Sequence, residues 1–268
     1  MNRKTRILWR VMALAGSLNL LAGCAEASLD AELPPVQTFT EQAQQTAVLP
    51  VEENLTRLIN DIEAVHGGTV GIAVAGADGV VQVGDLGDSD AWSTIKVPVA
   101  ITADAAGLAD PELIEAAITV SDNDAAYLLR LQVDQTELPY VPELEELMGE
   151  THWLLADQAQ FATNLSCLDT VGTTYDAMGR IVEWQDIGLG LIPEAHFKSG
   201  WGQETDDIYT YRQFGSVQTL DGALGLAVIA HPGDNTPETA EAMIQELGQG
   251  LSVLLESGLL GSGINCVE

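Results

Sequence analysis

Leu55, Leu58, Ile59 and Ile62 recur at intervals of three and four, which predicts a helix that stops at Gly67-Gly68. Val70, Ile72 and Val74 then alternate with small residues, as in a strand. Asp78-Gly79 predicts a hairpin turn, and Val80-Val81-Gln82-Val83 the return strand. From about 90 to 190 the spacing is mainly helical, with segments near 93–106, 110–118, 123–132 and 174–186. Strand character returns at 195–201, 208–218 and 223–231. The run Ala223 to Ala230 is apolar throughout, as a central strand would be. An amphipathic helix over about 237–257 closes the pattern. This order predicts an α+β fold. One antiparallel sheet draws its strands from both chain ends, is flanked by the terminal helices, and lies beside a reduced helical lobe. The expected domain spans 51–268, with one lobe from 51–90 and 191–268 and the helical lobe from 91–190.

The first 23 residues carry Arg3, Lys4, Arg6 and Arg10 ahead of an apolar run from Val11 to Gly23. That run is too short to span a bilayer and reads as an export signal. It ends in Leu21-Ala22-Gly23-Cys24, which resembles the lipobox of bacterial lipoproteins. The resemblance implies a lipid on Cys24 and an anchor on the extracytoplasmic face of the cell membrane. Residues 24–50, with Pro34, Pro35 and Pro50, read as a tether. Two cysteines are left, Cys167 and Cys266. Export permits a disulfide between them, and two separate buried thiols are the alternative.

Charge narrows the partners. The 268 residues hold 10 Lys+Arg against 40 Asp+Glu, a formal net charge of −30. Removing the first 23 residues takes away four cations and no acid, which carries the net charge to −34. Such a chain repels nucleic acid and anionic lipid headgroups. His66, His152, His196 and His231 show no metal-ligand spacing, so no metal or cofactor is called for. A monomer is expected.

Three short motifs follow in order: Ser93-Thr94-Ile95-Lys96, Ser121-Asp122-Asn123 and Lys198-Ser199-Gly200. Together they resemble the motifs of serine β-lactamases and penicillin-binding proteins over about residues 51–260. After residue 23 the chain holds only two lysines, Lys96 and Lys198, and both fall in these motifs. Ser93 and Lys96 are three apart and so share a helix face. A serine hydroxyl needs a neighbour to remove its proton. Lys96 can do so when neutral, and burial or the charge of Lys198 would lower its pKa. The resemblance implies the remaining roles. Ser121 would pass a proton to the leaving group, and Asn123 would hold Lys96 and the substrate amide. Lys198 and Ser199 would bind a substrate carboxylate. The backbone N–H groups of Ser93 and of Trp201, next to Gly200, would form the oxyanion hole. Arg212 is a further candidate for the carboxylate, with a structural ion pair as the alternative. The implied substrate is a peptidoglycan-type peptide or a β-lactam.

Two departures stand out. The interval from Ser93 to Ser121 is short for class A β-lactamases, so the helical lobe must be reduced. The resemblance implies a deacylating glutamate ahead of Thr173–Met178, yet no glutamate lies between Glu150 and Glu183. Asp157 and Asp169 are the acids there; Asp169 could substitute if placed about one methylene closer to the water, and the alternative is that both are surface or capping residues. Deacylation is therefore expected to be slow. A catalytically degenerate surface lipoprotein that keeps the fold as a binding module is the competing reading.

Overall fold

The computed structural model describes residues 50–133, 143–205 and 207–266 of the chain. The export segment, Cys24 and nearly all of the expected tether lie outside the described residues.

Helix α1, Val51–His66, buries Leu55, Ile59 and Ile62 at helical spacing, carries Glu52 and Glu53 in its first turn, and ends at Gly67. Strands β1, Thr69–Gly76, and β2, Gly79–Val83, form the predicted hairpin, with Gly76 facing Gly79. Strands β3, His196–Thr205, β4, Ile208–Thr219, and β5, Gly222–His231, complete the sheet. The strand order is β2-β1-β5-β4-β3, antiparallel throughout. The apolar β5 is central, as its composition predicts. The fold is α+β, as the patterning indicates.

The two faces of the sheet bury different elements. On one face, Val70, Ile72, Val74, Leu226 and Val228 pack with α1 and the C-terminal helix α8, Pro237–Glu256. Pro237 starts α8, and the Thr236 hydroxyl caps it by accepting from the Thr239 N–H. The other face, with Ala73, Phe214, Ala227 and Ile229, meets the helical lobe. That lobe contains α2, Lys96–Ala105; α3, Pro111–Thr119; α4, Asn123–Arg130; α5, Leu155–Thr163; α6, Leu165–Leu168; and α7, Thr173–Met178.

Helix α5 lies against β1, β4 and β5. The spacing reading passed over it, because Gln158 and Thr163 are buried along with Leu155, Ala159 and Ala162. Trp153, Phe161 and Phe214 meet beneath it with ring centroids 5.3–6.0 Å apart. The helix expected over 174–186 is shorter than the pattern suggests. It ends at Met178, before Gly179, and a single tight turn follows at Glu183–Gln185.

Cys167 on α6 is bonded to Cys266, with Cα atoms 5.8 Å apart across 99 residues of sequence. In the chain-entropy account, closing a loop of that length contributes about 4–5 kcal/mol. No helix among the described residues is long and apolar enough to cross a membrane.

Candidate active site

Ser93 sits on the single tight turn Trp92–Ile95 that feeds directly into α2 at Lys96. Trp92, just before it, has φ +50, a backbone state that costs a bulky residue about 1–3 kcal/mol. The surroundings hold it there. Ala91 N donates to Thr151 O at 2.8 Å, and the Thr94 hydroxyl donates to Ala91 O. Arg212 Nη1 donates to Ser89 O at 2.9 Å and to Asp90 O at 2.8 Å. Strand β3 then passes tightly beside the turn. A Cβ at Gly200 would lie 2.7 Å from Ser93 N and 2.8 Å from Trp92 Cβ, and one at Gly202 would enter the Trp92 ring. Only glycine allows the backbone next to Trp201 to approach the backbone of Ser93 this closely.

Lys96 Nζ donates to Ser121 O at 2.6 Å, to Asn123 Oδ1 at 2.7 Å and to Ser121 Oγ at 3.1 Å. Ser121 has φ +60, which turns its carbonyl and hydroxyl toward the same amine. Asp122 caps α4 by accepting from Ala125 N at 2.8 Å, and this fixes Asn123 in the first turn. Burial lowers the Lys96 pKa to about 8, against the opposing charge of Asp122. An ammonium has three hydrogens, and these three acceptors match the charged form.

Lys198 is 0% exposed, and its Nζ donates to Ser199 O at 2.9 Å. Burial first, and the charge of Lys96 second, hold its pKa well below the ordinary lysine value. Sequence reasoning had Lys198 lowering Lys96. The repulsion instead acts on Lys198, the more deeply buried amine, in the same direction as its burial.

Ser93, Lys96, Asn123 and Trp201 line one cleft of about 730 Å³. Strand register separates the other candidates. Lys198 faces Phe214 and Gly200 faces Arg212, on the helical-lobe side, whereas Ser199 faces Gln213 on the α8 side. The Ser199 hydroxyl is buried there and accepts from Gln213 Nε2 at 3.0 Å. It is therefore not offered to a carboxylate in the cleft, contrary to expectation. Arg212 needs the same correction. It is 0% exposed, and its terminal nitrogens bond Ser89 O, Asp90 O, Trp153 O and Gln158 Oε1. Neither the substrate role nor the ion-pair alternative fits, since the guanidinium binds carbonyl oxygens of the scaffold.

The structure resembles solved serine β-lactamases. No family model matches the chain, and no curated protein sequence does. A representative class A β-lactamase from Bacteroides cellulosilyticus superposes with TM-score 0.63 at 16% identity, covering 78% of this chain and 99% of that one. A β-lactamase from Chitinophaga pinensis gives 0.61 at 14% identity, over 76% and 99% of the two chains. An ancestral class A β-lactamase gives 0.59 at 18% identity, over 78% and 100%. The chain has the serine β-lactamase fold.

Within the β-lactamase fold, the acids near the cleft differ from those the sequence singled out. Asp157 is exposed on the first turn of α5. Asp169 is buried and accepts from Gly172 N at 3.1 Å and Tyr175 N at 2.6 Å, so it fixes the entry to α7. Among the described residues, the acid that lines the cleft is Glu146, on the segment before the tight turn Met148–Glu150. It lies ahead of Glu150, outside the stretch in which the resemblance places a deacylating acid. The missing signal was α5: that buried helix occupies residues in which the acid was sought, so the cleft-lining loop precedes it.

Proposed function

We propose that this chain is an exported, lipid-anchored serine acyl-transfer enzyme that forms an acyl-enzyme on Ser93 with a cell-wall peptide or a β-lactam. The observation that carries the reading is the cluster of Lys96, Ser121 and Asn123 bonded together, with Lys96 and Asn123 lining the cleft that also holds Ser93. Neutral Lys96 accepts the proton of Ser93, and Oγ attacks the carbonyl carbon. The resulting oxyanion lies between the N–H groups of Ser93 and Trp201. The carbon–nitrogen bond then breaks as Ser121 passes a proton to the leaving nitrogen. Deacylation is slow, because no described carboxylate bonds to Ser93, Lys96 or Asn123. Loss of a positioned general base slows a step by about 10²–10⁴.

Incubation with a fluorescent penicillin followed by intact-mass measurement tests this. A persistent adduct, absent in Ser93→Ala, is the expected result. No adduct at any pH between 7 and 9 rejects it. One observation favours a second reading, a binding module that has lost catalysis: all three Lys96 hydrogens go to Ser121 and Asn123, and none to Ser93. That reading requires Ser93→Ala to keep the protein's cellular role.

A further inference from the structure

The cleft offers little to an anion. Lys198 and Arg212 are each 0% exposed, Ser199 is bonded to Gln213, and Lys96 has its three hydrogens on Ser121 and Asn123. The remaining described cation in the lining, Arg130, donates to Val133 O at 3.4 Å and shares the lining with Glu146, so the two charges offset one another. A second hollow of about 530 Å³ shares Trp92, Leu147 and Gly149 with the cleft and holds Asp90, Glu145, Glu150 and Glu204 against one imidazole, His152, which lies 3.5 Å from Asp90. An incoming carboxylate therefore meets a wall of like charge.

The rest of the lining is apolar. Tyr127 and Leu131 on the α4 side and Leu147 opposite are 59%, 64% and 62% exposed. Met148 and Trp92 continue the surface toward Ser93, whereas the Trp201 ring packs on Tyr211 on the other face of the sheet. Three large apolar side chains, each more than half open to water on a chain of net charge −30, are costly to keep unless something covers them. Aromatic and aliphatic walls around a reacting centre bind the uncharged part of a substrate.

We infer that this cleft recognises its acyl donor through an uncharged, apolar, ring-sized acyl group, and that a free carboxylate on the donor weakens binding. The inference deepens the proposed function and rests on its reading of the cleft as the acyl-donor site. Binding does not require Ser93 to react, so the Ser93→Ala protein separates the two. Phenylacetylglycinamide, which is neutral, and phenylacetylglycine, its anionic counterpart, are titrated by calorimetry at low ionic strength. The neutral ligand should bind at least about tenfold more tightly, since each has the same ring to bury. Leu131→Asp and Leu147→Asp alter exposed positions and should weaken the neutral ligand about tenfold without lowering the melting temperature. Equal or tighter binding of the anion overturns the inference, as does failure of both ligands to bind. If the preference holds while the wild-type protein forms no adduct on Ser93, the inference stands and the acyl-enzyme reading falls.

Discussion

Arg212 Nη2 lies 2.7 Å from Oε1 of Gln158, and the same Gln158 donates through Nε2 to the Thr94 hydroxyl at 2.8 Å. A guanidinium on β4 and an amide on α5 thus hold the turn that carries Ser93 from beneath. Burial lowers the Arg212 pKa to about 10, so it stays charged at neutral pH, with carbonyl oxygens as its ligands. Arg212→Met takes the guanidinium donors from Asp90 O, Trp153 O and Gln158 Oε1, while Ser89 O keeps the Trp153 N–H. The expected loss is about 3–5 kcal/mol of stability, read by denaturant titration. Gln158→Leu should cost less and slow Ser93 acylation with the fold intact, since Thr94 loses its tie. If Gln158→Leu acylates at the wild-type rate, the turn does not depend on that tie.

The three motifs were readable because each is short and local. Ser93, Lys96, Ser121 and Asn123 sit where chain direction and helix spacing place them. What the chain order hides is side-chain direction on an edge strand. Lys198, Ser199 and Gly200 are adjacent in sequence, yet the two-residue period of β3 sends Ser199 to Gln213 and its neighbours to the other face. Arg212 was ambiguous for a related reason: its partners are backbone oxygens at Ser89, Asp90 and Trp153, which no residue pattern marks. Helix α5 escaped because apolar periodicity fades when polar positions such as Gln158 are also buried.

Lys198 has a cost that substitution should expose. Its amine is fully buried against one carbonyl, and burial and Lys96 both disfavour its charged form. Lys198→Met keeps the length and removes the amine, so at pH 7 it should stabilise the protein by about 1–4 kcal/mol. The sign with pH follows from the depressed folded pKa. Between the folded value and the unfolded value of about 10.4, the unfolded chain binds the extra proton, so wild-type stability rises with pH. The advantage of Lys198→Met should therefore shrink as pH is raised from 7 toward 10. A gap that widens over that range, measured by melting temperature, contradicts the assignment.

Acylation should also respond to pH through Lys96. With its pKa lowered by burial to about 8, about one tenth of the amine is neutral at pH 7 and most of it at pH 9. The second-order rate of Ser93 labelling should rise about tenfold from pH 7 to pH 9 and level off above. Asn123→Ala removes one acceptor of the ammonium and exposes the amine to no new charge. The midpoint should then move down, because a hydrogen bond that favoured the charged form is gone. A midpoint that moves up would mean Asn123 acts on the pKa mainly by excluding water.

Glu146 is the acid whose substitution tests slow deacylation. It lines the cleft with Ser93, but its carboxylate is exposed and forms no bond to Ser93, Lys96 or Asn123. A general base must hold its water within hydrogen-bond reach of the ester carbon, and an unrestrained side chain spends little time there. Glu146→Gln removes the base and preserves the shape. If deacylation proceeds without a positioned carboxylate, the lifetime of the penicilloyl adduct on Ser93 should change less than about threefold. A lengthening of about 10²–10⁴ would make Glu146 the base that activates water. The wild-type adduct would then decay as a hydrolase's does, and the chain would work as a β-lactamase rather than as a slow penicillin-binding protein.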